Sequence, residues 1–292
     1  MSQTFNNHGL GFQVKHDLPT GAENSAQFML IALLAGTISI SVKSGFKAQS
    51  FNYTTLPHGR QTKRSLNGLK SIFSTYDIGE DLNNFVGVTL ADNRGFYQEL
   101  LIEFSQFFLQ TNRGAHTAAF VFLYRIIERL FYSIPLLYVS TTKDYVGTFE
   151  DLKGLFVDDK TGERGFFKKF LNQGRFIDNT VLDQVFILNL SATDGVSEKF
   201  DAALRKIFKA FVPAGPSLDQ VGCKFRDVPD LLAQMRNRFF HSRTGDGQPN
   251  MSMKVIGDPD MVFARLNPIF CNVLAVITIH SIAKKYGRFE PE

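Results

Sequence analysis

The sequence predicts a mostly α protein, with a helical bundle over residues 113–292 and a smaller α+β region over residues 1–112. Three observations carry that expectation. From Arg94 onward, apolar residues recur at spacings of three and four, the period of one helix face. Before that, β-branched Thr37-Ile38-Ser39-Ile40-Ser41-Val42 lies among turn-rich segments around Pro57-His58-Gly59 and Tyr76-Asp77-Ile78-Gly79, the signature of short strands. Finally, 292 residues with 44% hydrophobic and 21% charged side chains are enough to bury a sizeable core in one large or two smaller domains. Thirty Phe and no Trp indicate core filling by rings without a polar handle.

Taken in order, the first long helix begins near Arg94, where Tyr97, Leu100, Leu101, Phe104, Phe107 and Phe108 share a face. Asn112-Arg113-Gly114 breaks it. The next helix carries Phe120, Leu123, Ile127, Leu130 and Ile134 on one stripe, with Arg125, Glu128 and Arg129 turned away, and Pro135 is expected to kink or end it. Shorter helices are expected at Phe166 to Asn172 and Thr180 to Leu190, and a longer one from Ser197 to Phe211. Asp227 then reads as an N-cap, with Pro229 in the first turn and Asp230 three residues after the cap. In the helix that follows, Leu232, Met235 and Phe239 form the apolar stripe, and the loop Thr244 to Asn250 closes it. A last helix is expected from Pro259 to Tyr286.

Composition excludes several classes of function. Cys223 and Cys271 stand alone, in no ligand or disulfide spacing, so the sequence supports neither a zinc site nor a disulfide framework, and no metal or other cofactor is expected. The Met1 end lacks a basic segment followed by an apolar one. The runs Phe28 to Val42 and Ile269 to Ala283 read as too short and too polar to cross a bilayer, which points to a cytoplasmic protein without a membrane anchor. The net charge of +4 is unevenly placed: no Asp or Glu occurs between Asn24 and Tyr76, while Lys43, Lys47, Arg60, Lys63, Arg64 and Lys70 all do. Such a run either follows a phosphate backbone, in which case Lys43, Lys47, Arg60, Lys63 and Arg64 contact RNA, or is a solvated basic face.

The most specific stretch is Arg236-Asn237-Arg238-Phe239-Phe240-His241. Composition alone yields an Arg-Asn pair with His five residues after the Arg about 0.02 times in a chain of this length. On a helix Asn237 and His241 share a face, whereas Arg236 lies roughly 140° away from His241. A distorted helix end, a long reach by Arg236, or a second copy of the chain would bring the three to one point. The chemistry suits RNA, which carries its own nucleophile in the 2′-OH. It needs a base or acid, a role for a histidine with an ordinary pKa near about 6.5, and a cation where phosphorane charge builds. Arg236 offers planar paired donors for that charge, and Asn237 either fixes the imidazole tautomer or donates to the phosphate. Arg238 and Arg243 would add RNA contacts beside them.

Arg236-Asn237-x-x-x-His241 on a bundle helix, preceded by the helix bearing Arg125 and Glu128, resembles the HEPN superfamily over about His116 to Tyr286. The resemblance implies a HEPN-like bundle and a metal-independent endoribonuclease acting as a homodimer, with the two motifs meeting at the interface. It also implies a toxin or antiviral-defence effector restrained by an inhibitor protein or awaiting a trigger. Arg236, Asn237 and His241 match the motif residue by residue, while Arg125 and Glu128 are assigned to pocket support from their polar face. Two other readings remain: a catalytically silent HEPN-like module that binds nucleic acid, nucleotide or a protein partner, and a plain helical scaffold.

Overall fold

The computed structural model of the chain describes residues 3–7, 10–42, 45–62, 64–156, 163–174, 176–189, 212–213, 220–240 and 257–287. The expected helix from Ser197 to Phe211 lies outside these. The fold is mostly α, with small sheets. Contacts divide it into two units, residues 1–113 with 274–292, and residues 114–273. The first division falls at Gly114, whose left-handed backbone (φ 74°) ends a helix. The second lies within the last helix, between Val273 and Leu274.

In the first unit, strands β1 (Gln3–Asn7), β2 (Leu10–Val14), β3 (Ile38–Val42) and β4 (Gly45–Ala48) form an antiparallel meander. Its register pairs Phe12 with Ile40 and Val14 with Ile38, so one face is apolar and fully buried. Helix α1 (Ala26–Leu34) is apolar on all sides, and every one of its residues is buried. Ser25 caps it by accepting from the Phe28 N–H, and the Gln27 amide donates to the Asp92 carbonyl. A two-stranded ribbon, β5 (Phe51–Asn52) with β6 (Gly59–Arg60), and helices α2 (Leu66–Thr75), α3 (Leu82–Thr89) and α4 (Arg94–Asn112) complete this part.

The second unit begins with α5 (His116–Thr141), followed by α6 (Tyr145–Phe156), α7 (Glu163–Asn172) and α8 (Asn179–Leu182). Pro135 neither ends α5 nor limits its length. It is buried, so the ring adds to the apolar face while the helix gives up one backbone donor. The helix expected over Thr180 to Leu190 is confined to α8. It gives way to strand β7 (Val185–Asn189), because Phe186 and Leu188 are buried while Val185 and Ile187 are exposed, a period of two and not of 3.6. β7 pairs with β9 (Gln220–Lys224), which also pairs with β8 (Val212–Pro213), so this unit contains a small sheet beside its helices.

Helix α9 (Val228–Phe240) carries the first five motif residues, and α10 (Pro259–Tyr286) ends the described chain. By length and composition α10 is apolar enough to cross a membrane, contrary to the limit set by the run Ile269 to Ala283, and 78% of its most apolar window is buried inside the fold. That burial is what the core helix of a soluble protein shows. The start of α10 joins α5 through Asp260, which accepts from the Thr117 N–H at 2.6 Å, and through Asn267, whose amide donates to the His116 carbonyl. Both cysteines are free and buried, and burial pushes both thiols up.

Two stability tests follow from this packing. Phe120 is fully buried and its ring contacts those of Phe240, Phe263 and Phe270, so Phe120→Ala is expected to cost about 3–5 kcal/mol in urea denaturation. His280, packed edge-on against Tyr76, is pulled down to about 4 by burial, with the Lys284 charge adding to the effect. The unfolded chain therefore binds one more proton than the folded chain between about pH 4 and 6.5. Stability is full above that window and falls as pH drops through it, by up to about 3 kcal/mol. His280→Phe should flatten this part of the pH–stability curve, and an unchanged slope would contradict the assignment.

Candidate functional site

The chain enters α9 from β9 through a 3-10 turn, Phe225–Asp227, with the Phe225 N–H donating to the Gln184 carbonyl. Asp227 therefore belongs to the turn and is not an isolated cap. Burial raises its carboxyl above the ordinary carboxylate range, Lys168 opposing and Asp230 reinforcing the shift. Along α9, Val228, Leu231, Leu232, Met235 and Arg238 are buried. Steps of four and three from Leu231 through Met235 reach Arg238, so an arginine occupies the core stripe where Phe239 was expected.

This corrects the expectation for Arg238. With 9% of its surface exposed, and with burial pulling its guanidinium down from the usual arginine value, it is an interior cation and not a surface phosphate contact. Phe239 is half-buried, its ring edge-on to Phe263 at 5.2 Å.

Arg236 is half-buried and held on two sides. Its guanidinium carbon lies 4.7 Å from the centroid of the Tyr124 ring on α5, inside the range of a cation–π contact. Its Nη1 donates to Asn237 Oδ1 at 3.1 Å. The other end of the Asn237 amide is its NH₂, a donor suited to a phosphate oxygen.

Tyr124 in turn donates to Glu128, one turn further along α5. Burial and the Glu128 charge push the phenol up to about 12, against the opposing pull of Arg236 and Arg164, so at neutral pH it is a hydrogen-bond donor and not a base. Asp230 pairs with Arg164 at 3.5 Å and Lys168 at 3.6 Å, and accepts from Gln234 at 2.8 Å, which ties α7 to α9.

The structure thus brings Arg236, Asn237 and Glu128 into one neighbourhood through Tyr124. Tyr124 was missed in the sequence, although its spacing of four from Glu128 was a usable signal. Arg125 is exposed on α5, about 100° around the helix from Tyr124. His241 and Arg243 lie outside the described residues, as do Lys43 and Lys63.

In the first unit, Lys47 and Arg60 are exposed on β4 and β6. Arg64 is half-buried, donates to Ser39 on β3 at 3.1 Å, and is pulled down by burial. Among the described residues, no three His, Cys, Asp or Glu side chains group as a metal site would require.

No protein-family model, curated protein or solved structure matches this chain. As an arrangement the site offers a stacked cation, an amide donor and an uncharged phenol on one patch of α5 and α9, ahead of a histidine.

Replacing Tyr124 tests how Arg236 is seated. Tyr124→Leu removes both the ring and the hydroxyl and should cost about 1–3 kcal/mol in urea denaturation, whereas Tyr124→Phe keeps the ring and should cost distinctly less. Equal losses in the two variants would mean that the ring contributes nothing to holding Arg236.

Proposed function

We propose that this protein is a metal-independent endoribonuclease of the HEPN type, cleaving RNA by attack of the 2′-OH on the adjacent phosphodiester. The observation that supports it most is the seating of Arg236, five residues before His241 in the sequence, between the Tyr124 ring and the Asn237 amide. A guanidinium held in advance opposite a developing phosphorane stabilises charge without reorganising during the reaction. His241 moves the proton, Arg236 binds the non-bridging oxygens, and Asn237 donates to the phosphate. Glu128 acts at one remove, accepting from the Tyr124 hydroxyl and so orienting the ring that carries the arginine. Arg125 and Arg243 add further cations for RNA, as do exposed Lys47 and Arg60, with Lys43 and Lys63.

A homodimer places two motifs together and completes the site where one helix does not aim Arg236 and His241 at one point. In this reading the protein is a cytoplasmic toxin or antiviral-defence effector, restrained by an inhibitor protein or released by a trigger, because unrestrained RNA cleavage kills the host. The competing reading is a silent binding module, for which the stacking of Arg236 on Tyr124 would be a structural contact only.

One comparison separates the two. The wild-type chain is expected to cleave total RNA and tRNA in excess chelator, leaving 2′,3′-cyclic phosphate and 5′-hydroxyl ends and sparing an all-deoxy strand. His241→Ala should abolish cleavage with the fold and RNA binding retained. Sensitivity to chelator, cleavage of DNA, or undiminished cleavage by the variant would sink the mechanism.

A further inference from the structure

In the second unit, the hairpin of α5 and α6 is closed by two contacts. The Tyr138 hydroxyl donates to Asp151 at 2.8 Å, and the Thr148 hydroxyl meets that of Thr142 at 2.8 Å. Tyr138 and Thr142 therefore mark the side of α5 that faces α6, and Thr148 and Asp151 mark the side of α6 that faces α5. At about 100° per residue along two antiparallel helices, Tyr132, Leu136 and Val139 on α5 come to the same side of the hairpin as Tyr145 and Phe149 on α6, with Val146 at the edge. That side is open: Leu136 is 65% exposed, Phe149 62% and Tyr145 83%.

The extent and the border of this face indicate what covers it. Its six side chains expose on the order of 700 Å² together, more than the contiguous apolar surface usual on a soluble monomer and close to the about 800 Å² that each partner gives to a standard interface. No charged residue occurs from Leu130 to Thr142, so the centre of the face lacks charge as an interface core does. At its border, exposed Lys143 and Lys153 are matched by exposed Asp144 and Glu150, with Lys153 and Glu150 paired at 3.7 Å. A helix that lies on anionic lipid surrounds its apolar side chains with a surplus of Lys and Arg, and this border has no surplus. A border with equal numbers of each sign can instead meet its own copy across a two-fold axis.

We propose that a second copy of this chain docks on the α5–α6 face, the two hairpins packing face to face as a four-helix layer with these apolar side chains at its centre. Tyr124 lies about 18 Å along α5 from Leu136, so the contact leaves the Arg236 patch open. It is therefore a different contact from the meeting of two motifs in the ribonuclease reading, and it does not depend on cleavage at His241.

The test is sedimentation equilibrium of the full chain at micromolar concentration. It compares wild type with the double change Leu136→Lys and Phe149→Lys, with each change alone, and with Ile187→Lys as a control on exposed β7, every variant checked for folding by its thermal melt. Because the double change sets like charges against one another across the two-fold axis, self-association is expected to weaken about tenfold or more, while the control associates as wild type does. Where the motifs also join two chains, the same change takes the higher assembly down to a dimer. A wild-type chain that lacks this association, or a double variant that associates unchanged, overturns the proposal. So does a monomeric wild type that floats with phosphatidylglycerol vesicles, a result that assigns the face to a lipid surface. RNA cleavage by wild type and His241→Ala, measured in parallel, reports on the ribonuclease reading separately.

Discussion

The second unit is organised around one aromatic cluster. Phe120 on α5 stacks on Phe240 at the end of α9 with ring planes 3° apart, and meets Phe263 and Phe270 of α10 at 4.4 and 5.9 Å. Phe239 closes the group against Phe263 and Phe240. Rings of this size restrict one another to a few arrangements, so three helices are fixed at one end by a single set of contacts. Phe240 immediately precedes His241. The last described turn of the motif helix is therefore positioned by hydrophobic packing, and its polar residues inherit that position.

Helix phase then sets what each cation does. Arg238 falls on the buried stripe with Leu231 and Met235 and is an interior group. Arg236, two residues earlier, falls where it meets the face of Tyr124. Arg226, in the turn before the helix, is gripped by Asp183 and Asn179 and left with an unmatched Nε. Arginines of one short segment thus occupy three electrostatic environments: desolvated, stacked and clamped. Net charge reveals none of this, because it counts the three alike.

The helices that were legible in the sequence are those whose apolar period is long and unbroken. Tyr97 to Phe108 on α4 and Phe120 to Ile134 on α5 are buried as their spacing requires, and α10 runs over the expected Pro259 to Tyr286. The segment after Thr180 was misread because four alternating residues, Val185 to Leu188, are too few to separate a strand from a helix without knowledge of the partner strand β9. Pro135 does not end the helix, which runs on to Thr141 with one backbone donor fewer. At the site, the Arg-Asn pair was visible as a pattern, but its seating was not: the Tyr124 platform lies more than a hundred positions earlier in the chain, and no local rule connects them. Arg238 was assigned to the surface on residue type, whereas its phase relative to Leu231 pointed inward.

Among the described residues the meander of the first unit ends on β4, which pairs with β3 alone, and Lys47 stands exposed on it. A foreign strand adding to that edge would have to strip water from the ammonium group to form its ladder of hydrogen bonds. Part of the positive charge in the acid-free stretch from Asn24 to Tyr76 therefore has a use that involves no ligand. It guards an open sheet edge against self-templated growth.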